Sequence, residues 1–395
     1  MKNYKKTLIA CYLGFITQAI VANFTPLLFL TFHNEYGVSL SNIAFISTAF
    51  FFTQLIVDIL CAKFVDKIGY RVSIVASEVL AALGLIGLAI LPKLTPNPYV
   101  GIIIAVIIYA IGSGLIEVLC SPIVEACPFD NKDSVMSLLH SFYCWGSVGV
   151  VLFSTIFFSI FGINNWKILA CIWAIVPLYN VYNFMTCPIE YLTEEGEGLG
   201  VKKLFIMPVF WISIVLMICA GASEISMAQW ASAYAEAALG LSKNIGDIVG
   251  PCLFAVFMGI SRVFYGKYGH KVDLMKFMIG SGSLCLICYL LASLGKYPII
   301  GLVGCIVCGF SVGIMWPGTI SITSVNIPLG GTAMFALLAM AGDMGGSIGP
   351  YMVGLVTQNA NDNLKIGMLA GSVFPVILVV SIIGLMMVKN QNNKS

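Results

Sequence analysis

The stretch FVDKIGYR at residues 64–71 returns in altered form as FYGKYGHK at residues 264–271, 200 positions later. Four pairs of identical or similar residues carry the likeness: Phe64 with Phe264, Lys67 with Lys267, Gly69 with Gly269, and Arg71 with Lys271. The same offset joins Pro128 to Pro328 and GSVG (146–149) to GSIG (346–349). One offset shared by three separate places indicates an internal duplication, so the chain is predicted to consist of two similar halves.

The composition is that of a membrane protein. Hydrophobic residues make up 59% of the 395 residues, charged residues make up only 10%, and the mean hydropathy is +0.98. A soluble domain carries about 25% charged residues, so much of this chain's exterior must face lipid. The net charge of +2 gives no indication of a nucleic-acid partner. Most of the 13 cysteines lie within apolar runs, where we expect them to pack as small apolar residues and not to form disulfides or a metal cluster.

Twelve apolar runs reach the length of about 20 residues that a helix needs to cross a bilayer. They lie near residues 8–30, 41–62, 73–91, 99–124, 135–160, 166–186, 204–232, 246–263, 274–293, 298–321, 332–357 and 365–388. The sequence therefore predicts an all-α membrane protein with twelve transmembrane helices in two six-helix pseudo-symmetric bundles. No cleavable signal peptide is expected, because the first apolar run is long enough to span and lacks a convincing cleavage site.

The lysines and arginines predict how the chain is oriented. With the N-terminus in the cytoplasm, fifteen of them fall in the inner loops and tails and five in the outer loops. This bias favours two cytoplasmic termini. Residues 187–203 then form a cytoplasmic linker between an N-terminal six-helix bundle (1–186) and a C-terminal one (204–395). Lysine outnumbers arginine 18 to 2, which suggests an AT-rich bacterial genome and hence the plasma membrane of a bacterium.

The duplication itself favours a transporter. A repeat of six spans gives both copies the same orientation in the membrane. Parallel repeats of this kind hold a substrate site at their interface near the bilayer midplane, and access to the site alternates between the two sides.

The loop AKFVDKIGYR (62–71) resembles a signature of the major facilitator superfamily, roughly Gly-x-x-x-Asp-(Arg/Lys)-x-Gly-Arg-(Arg/Lys). Asp66, Lys67, Gly69 and Arg71 match it, whereas Ala62 and Tyr70 depart from it. Twelve spans, the central linker and the weaker copy at 262–271 extend the resemblance over the whole chain. In that family the loop latches the two halves in one conformation. The resemblance therefore implies gating roles, which we assign to Asp58, Asp66, Gly69, Arg71, Arg262 and Gly269.

The stretch GSGLIEVLCSPIVEACP (112–128) places a carboxylate, Glu117, inside the fourth apolar run. The pattern Gly112-x-Gly114-x-x-Glu117-x-x-x-x-Pro122 resembles helix 4 of the fucose, galactose and glucose–proton symporter branch, and it implies that Glu117 takes part in proton coupling. Ser121 stands where the branch usually has asparagine. Some members also carry a second acid in helix 1, where this chain has only amides, at Gln18 and Asn23.

Other acids also lie at membrane depth, where a charged side chain is expensive and usually functional. Glu224 in span 7 and Asp343 in the glycine-rich span 11 join Glu117 as candidates for proton coupling. We expect Asp58 and Glu78, near the cytoplasmic ends of spans 2 and 3, to be structural or gating partners. A carboxyl that can gain and lose a proton inside the membrane is what a proton-coupled transporter requires.

The polar side chains in the spans expected to line a cavity suit a neutral, hydroxylated solute. Sugars are bound by planar polar side chains together with an aromatic face. The candidates for substrate binding are Gln18, Asn23, Gln54, His140, Tyr143, Gln229, Trp230, Trp316 and Asn326. Lys63, Arg71, Arg262 and Lys276 all fall at or near predicted helix ends, so no cation is expected deep within a span. An anionic substrate is therefore disfavoured.

Three functions remain open. The first is proton-coupled uptake of a neutral sugar by a monomer, with the sugar, protons and the lipid bilayer as partners. The second is proton-driven efflux of drugs or other amphiphiles, for which Met227, Met315 and Met334 are candidates to line the cavity, although methionines in apolar helices more often serve packing. The third is a receptor or scaffold built on a transporter fold. Enzymatic activity is not expected, since no nucleophile–base set, nucleotide motif or metal spacing is present. No cofactor or metal ion is expected.

Overall fold

The computed structural model describes residues 3–192, 198–239, 243–361 and 363–392, and within these ranges the regular structure is helical. The α-helices are α1 Tyr4–Phe24, α2 Phe29–Tyr36, α3 Leu40–Ile68, α4 Tyr70–Leu94, α5 Pro98–Glu125, α6 Lys132–Phe161, α7 Trp166–Thr186, α8 Val201–Ile206, α9 Pro208–Leu239, α10 Lys243–Tyr268, α11 Leu274–Leu294, α12 Pro298–Val312, α13 Met315–Asn326, α14 Gly331–Asn359, α15 Leu364–Gly371 and α16 Val373–Asn392. Short 3₁₀ turns lie at Thr25–Leu28, Ile163–Asn165 and Gly269–Lys271.

These helices account for the predicted spans. Within the described residues, ten segments are long and apolar enough to cross a membrane. Four of them join consecutive elements into one crossing: Tyr4–Tyr36, Ile163–Thr186, Pro298–Asn326 and Leu364–Met387. Two further helices, α10 and α14, are 26 and 29 residues long and correspond to the two remaining predicted spans.

The duplication is visible in the helix boundaries. Three boundaries recur after 200 positions: the ends of α3 and α10 at Ile68 and Tyr268, the ends of α4 and α11 at Leu94 and Leu294, and the starts of α5 and α12 at Pro98 and Pro298. A proline suits the first turn of a helix, where its missing N–H has no partner to lose. At α5 the Asn97 side chain also accepts from the Tyr99 N–H at 3.0 Å, which caps the helix.

The chain forms two compact units. Unit 1 contains Met1–Pro128, Phe142–Gly198 and Gly331–Ala336. In it α4 packs on α5 and α7, α1 packs on the same two helices, and α3 packs on α5. Its apolar core includes the fully buried rings of Phe24, Phe32, Tyr109 and Trp166.

Unit 2 contains Phe129–Ser141, Leu199–Gly330 and Leu337–Ser395. Helix α9 packs against α10, α12, α13 and α16, and α11 packs against α12, α13, α15 and α16. The predicted linker, residues 187–203, falls partly outside the described residues, at 193–197. The predicted division into bundles at 1–186 and 204–395 stays a prediction.

Large apolar side chains cover much of the outer surface. Phe52, Ile160 and Val380 are each more than 60% exposed. Contiguous apolar surface on this scale would aggregate in water, whereas helices that satisfy their backbone hydrogen bonds internally can present it to lipid.

Candidate functional site

Glu117 lies at a junction of three helices in unit 1. Gln18 Nε2 on α1 donates to Glu117 Oε2 at 2.8 Å, and Gln54 Nε2 on α3 donates to the same oxygen at 2.9 Å. Gln54 Nε2 is also 3.4 Å from the Ser113 hydroxyl. Both amide side chains are buried, while Glu117 is half-buried. Three residues singled out from the sequence therefore form one hydrogen-bonded group, the Glu117 cluster (Gln18, Gln54 and Glu117).

The glycines of α5 allow this junction to form. A Cβ added to Gly112 would lie 2.5 Å from the Ser77 carbonyl oxygen on α4, and one added to Gly114 would lie 3.0 Å from Val57 Cγ1 on α3. Only a residue without a side chain permits such close helix contact. The Gly112-x-Gly114 spacing thus brings α4 and α3 onto two faces of α5, and Gln54 on α3 within reach of Glu117.

Asn23 belongs to a second polar group of unit 1. Its Nδ2 donates to the Ala19 carbonyl at 2.9 Å and to the Ser147 hydroxyl at 3.1 Å. Ser147 in turn donates to the Tyr143 carbonyl at 2.9 Å. The group links α1 to α6, and it includes the predicted residues Asn23 and Tyr143.

Arg262 is the centre of a buried polar cluster in unit 2. It is 3% exposed, and its Nη2 lies 3.6 Å from Glu224 Oε2. Its Nε donates to the Gly313 carbonyl at 2.8 Å and its Nη1 donates to the His140 carbonyl at 2.9 Å. Ser137 Oγ donates to the Arg262 carbonyl at 2.8 Å. The guanidinium charge is therefore satisfied within the protein by a carboxylate and two carbonyls.

Arg262 is buried, although the sequence predicts it near the end of a span. The predicted span ended at residue 263, but α10 continues to Tyr268, which places Arg262 inside the helix. The structure also brings together Glu224 and Arg262, which sequence reasoning had assigned to separate roles. His140 is 5% exposed and joins this cluster through its backbone carbonyl.

Asp343 lies on a seam of close helix contacts in unit 2. A Cβ on Gly342 would lie 2.2 Å from Trp316 Cη2, and a Cβ on Gly345 would lie 2.0 Å from the Ile218 carbonyl oxygen on α9. The Trp316 ring therefore packs on α14 beside Asp343. Asp343 is half-buried, and its Oδ2 receives no hydrogen bond from the described residues.

The remaining predicted substrate residues have mixed surroundings. The Trp230 indole N–H is buried and donates to no acceptor among the described residues, whereas Gln229 is exposed. Asn326 donates to the Ile322 carbonyl of its own helix at 2.7 Å. Of these three side chains, only that of Trp230 presents a buried donor without a protein partner in the described part of the chain.

The predicted gating loop makes specific contacts in unit 1. Thr332 Oγ1 lies 2.5 Å from Asp66 Oδ1, to which it donates, and 2.5 Å from the Tyr70 hydroxyl. Tyr70, a departure from the family signature, therefore contacts the same hydroxyl as the matching residue Asp66.

Arg71 closes the end of α7. Its Nη1 donates to the carbonyls of Phe184 at 2.7 Å and Met185 at 3.0 Å, and its Nη2 donates to the Cys187 carbonyl at 2.9 Å. A guanidinium satisfies the unpaired carbonyls of a helix C-terminus and stabilises the negative end of the helix dipole. Burial raises the pKa of the Cys187 thiol, and a hydrogen bond to Thr7 and the charge of Arg71 oppose that rise.

The other predicted gating residues are constrained by backbone conformation, close contacts or burial. Gly69 has a φ of +94°, a conformation that favours glycine, and it separates α3 from α4. A Cβ on Gly269 would lie 2.7 Å from the Tyr265 ring and 2.8 Å from Ser134 Oγ. Asp58 is fully buried.

Glu78, predicted as a structural or gating partner, is hydrogen-bonded to two other helices. Its side chain is fully buried, Thr17 Oγ1 on α1 donates to its Oε2 at 2.9 Å, and Asn180 Nδ2 on α7 donates to its Oε1 at 2.7 Å. Thr17 and Asn180 were not singled out. The only signal was the presence of a hydroxyl and an amide inside apolar runs.

Among the described residues, no group of three or more histidine, cysteine, aspartate or glutamate side chains could hold a metal ion. The cysteines are free thiols. Cys285 and Cys308, on α11 and α12, have their sulfur atoms 3.7 Å apart. They pack in the apolar interior of unit 2.

The duplicated helices and the apolar exterior are those of a multi-pass membrane protein. The sequence model of the Major Facilitator Superfamily matches residues 10–350, and the chain belongs to that family. It is therefore a transporter and not an enzyme. The predicted fold of twelve transmembrane helices in two pseudo-symmetric bundles is confirmed.

Solved structures of transporters share this fold. FucP, the E. coli fucose:proton symporter, in its outward conformation has a TM-score of 0.80 at 16% identity, covering 95% of this chain and 97% of that one. The proton:xylose symporter XylE bound to 6-bromo-6-deoxy-D-glucose has a TM-score of 0.80 at 16% identity, with 95% and 94% covered. The human organic anion transporter MFSD10 has a TM-score of 0.76 at 13% identity, with 97% and 100% covered. Comparison with curated protein sequences gives no match.

Proposed function

We propose that this transporter takes up a neutral sugar together with protons by alternating access. The observation that carries the proposal is the single oxygen of Glu117 that accepts hydrogen bonds from amides on two other helices. Hydrogen bonds to an ionised carboxylate are roughly twice as strong as neutral ones. Protonation of Glu117 would therefore weaken the attachment of α1 and α3 to α5, and it would link proton binding to helix movement.

The chemistry of the polar groups supports a neutral, hydroxylated substrate. Amide side chains at Gln18, Gln54 and Asn23 offer both donors and acceptors, and Trp316 offers an aromatic ring. The one arginine found buried, Arg262, already binds Glu224 and two carbonyls, so it offers no free charge to an anion. That FucP is a fucose:proton symporter and XylE a proton:xylose symporter also supports the proposal.

Efflux of amphiphiles is the alternative function. Its sequence support was a set of methionines that could line a cavity. Met227, Met315 and Met334 are at most 1% exposed and lie in the packed interior, where methionine fills gaps between side chains. Their positions are explained by packing and therefore do not support efflux.

The proposal includes an orientation and a location. The loop that carries Arg71 and the linker at residues 187–203 face the cytoplasm, as the excess of basic residues in these segments favours. The transporter works as a monomer in the plasma membrane of a bacterium. Glu117 is its proposed proton-coupling residue, and Glu224 and Asp343 are the alternative candidates if Glu117 is not the coupling site.

The test is uptake of labelled hexoses by proteoliposomes, with and without an inward proton gradient, for the wild type and Glu117→Gln. At zero membrane potential, a gradient of one pH unit supports about tenfold accumulation for each proton coupled. We expect the wild type to accumulate a hexose and Glu117→Gln to equilibrate it without accumulation. Counterflow exchange should survive in the variant, because glutamine mimics the protonated carboxyl.

Glu125→Gln is the matched control, since it makes the same change two turns further along α5 and should behave like the wild type. If no hexose moves under any gradient, sugar uptake is excluded and efflux of a dye or drug is tested next. If Glu117→Gln accumulates sugar as the wild type does, Glu117 is not the coupling site.

A further inference from the structure

The carboxyl of Glu78 on α4 is held by two neighbouring helices, α1 and α7. Thr17 on α1 donates to one carboxyl oxygen and Asn180 on α7 donates to the other. Asn180 also donates to the Ala10 carbonyl at 3.0 Å, so the same amide ties α7 to α1. Glu78 is fully buried, and the group of Glu78, Thr17 and Asn180 is called the Glu78 cluster below.

No cation compensates this carboxyl among the described residues. Both of its hydrogen-bond donors are neutral, and it forms no salt bridge there. The titratable groups beside it are thiols: a Cβ on Gly14 would lie 3.5 Å from Glu78 Oε1 and 3.0 Å from the sulfur of Cys120 on α5, and Cys11 on α1 neighbours Cys120. From α7 the amide of Asn180 faces it. An isolated anion in such a place is highly unfavourable.

The arrangement suits the protonated carboxyl. Asn180 can donate to its carbonyl oxygen, and the hydroxyl of Thr17 can rotate to accept from the carboxyl O–H. Loss of the proton would leave a buried charge held only by neutral donors. The three-helix contact would then open or admit water.

Helix α1 connects the Glu78 cluster to the Glu117 cluster. The consecutive residues Thr17 and Gln18 bind Glu78 on α4 and Glu117 on α5 respectively. Consecutive residues point about 100° apart around a helix, so α1 lies between the two acids. Any movement of α1 past α4 and α5 must change the hydrogen bonds of both.

We infer that Glu78 is a second proton-binding site of the transport cycle, filled while α1, α4 and α7 are packed together and emptied when they separate. The inference rests on the proposed proton-coupled transport. It supplies, from α4, the second acid that α1 lacks. Each cycle then moves two protons, one on Glu117 and one on Glu78.

The test measures stoichiometry in proteoliposomes clamped at zero membrane potential, with an inward gradient of one pH unit. Two coupled protons support about 100-fold accumulation of the solute and one proton supports about tenfold. We expect the wild type to approach 100-fold and Glu78→Gln to fall to about tenfold with counterflow intact. Glu125→Gln, the matched control, should keep the wild-type ratio. A wild-type limit of about tenfold, or an unchanged limit in Glu78→Gln, overturns the inference.

A second measurement needs no substrate and does not depend on transport activity. Infrared difference spectra of the purified protein after a pH jump report the carbonyl stretch of protonated carboxyl groups. We expect a titrating band in the wild type and in Glu117→Gln that is missing in Glu78→Gln. If wild-type liposomes accumulate no sugar, the proposed function fails while this band still tests Glu78. A spectrum that Glu78→Gln leaves unchanged overturns the proton site.

Discussion

Arg71 and Glu78 lie only seven positions apart on α4, yet their charges are handled differently. Arg71 binds three carbonyls at the end of α7, whereas Glu78 is enclosed by neutral side chains. The first arrangement suits a permanent charge, and the second suits a charge that a proton can remove. Both residues bind α7. The contact of Arg71 with α7 keeps its charge at all times, whereas the contact of Glu78 depends on whether its carboxyl is protonated.

Replacing Arg71 with lysine should destabilise the protein. An ammonium group is a compact charge without the planar fork of a guanidinium, so it cannot reach all three carbonyls at once. We expect the free energy of unfolding to fall by about 1.5–3 kcal/mol, the range for hydrogen bonds to charged groups. The midpoint of thermal unfolding in detergent, followed by the fluorescence of the six tryptophans, measures it. Lys67→Ala removes a cation from the same loop and should change the midpoint little. Equal shifts in both variants would show that Arg71 contributes only its charge.

For single residues, the sequence predicts which side chains are functional but not which atoms they contact. The positions of Glu117, Gln18 and Gln54 were predicted as functional, but not that both amides bind one oxygen. The partners of Glu78 lie 61 and 102 residues away along the chain. Such pairings depend on how helices rotate and cross, and one sequence carries no signal for them. The burial of Arg262 has no signal in the sequence either, and α10 continues five residues beyond the predicted end of its span at residue 263.

At the scale of elements, the prediction was more complete because it depends on local properties. Hydropathy and length identify each span, and the 200-residue offset correctly relates the boundaries of α3, α4 and α5 to those of α10, α11 and α12. Hydropathy does not show where a helix is interrupted within a single span. The break between α12 and α13 at Gly313 exposes the carbonyl that Arg262 binds.

The glycines of α14 should differ sharply in their tolerance of a methyl group. A Cβ on Gly345 would lie 2.0 Å from the Ile218 carbonyl of α9, whereas a Cβ on Gly354 meets nothing within 4 Å. Gly345→Ala should therefore force α9 and α14 apart and destabilise the protein by about 1–3 kcal/mol. Gly354→Ala should be neutral or stabilise it by up to about 1 kcal/mol through helix propensity. The thermal unfolding midpoints of both variants test this prediction. If Gly345→Ala is as stable as the wild type, α9 and α14 do not pack as closely as described.

At the scale of the whole molecule, the orientation of the chain can be tested directly. The prediction places the linker in the cytoplasm and the turn between α6 and α7 outside. Alkaline phosphatase fused after Asn164 should therefore be active in bacterial cells, while the same enzyme fused after Leu192 should be inactive, because it folds only outside the cytoplasm. The reverse pattern would contradict the orientation inferred from the basic residues. A cytoplasmic fluorescent reporter at the same two positions provides the complementary control.

Thr332 has a consequence for the order in which the protein is made. Its hydroxyl contacts Tyr70 and Asp66, residues that precede it by 262 and 266 positions. A ribosome adds about 5–20 residues per second, so the first helices wait between about 13 and about 52 s for this partner to be synthesised. Unit 1 is therefore unfinished while most of unit 2 is being inserted. During that interval the Tyr70 hydroxyl and the Asp66 carboxylate lack this hydrogen-bond partner.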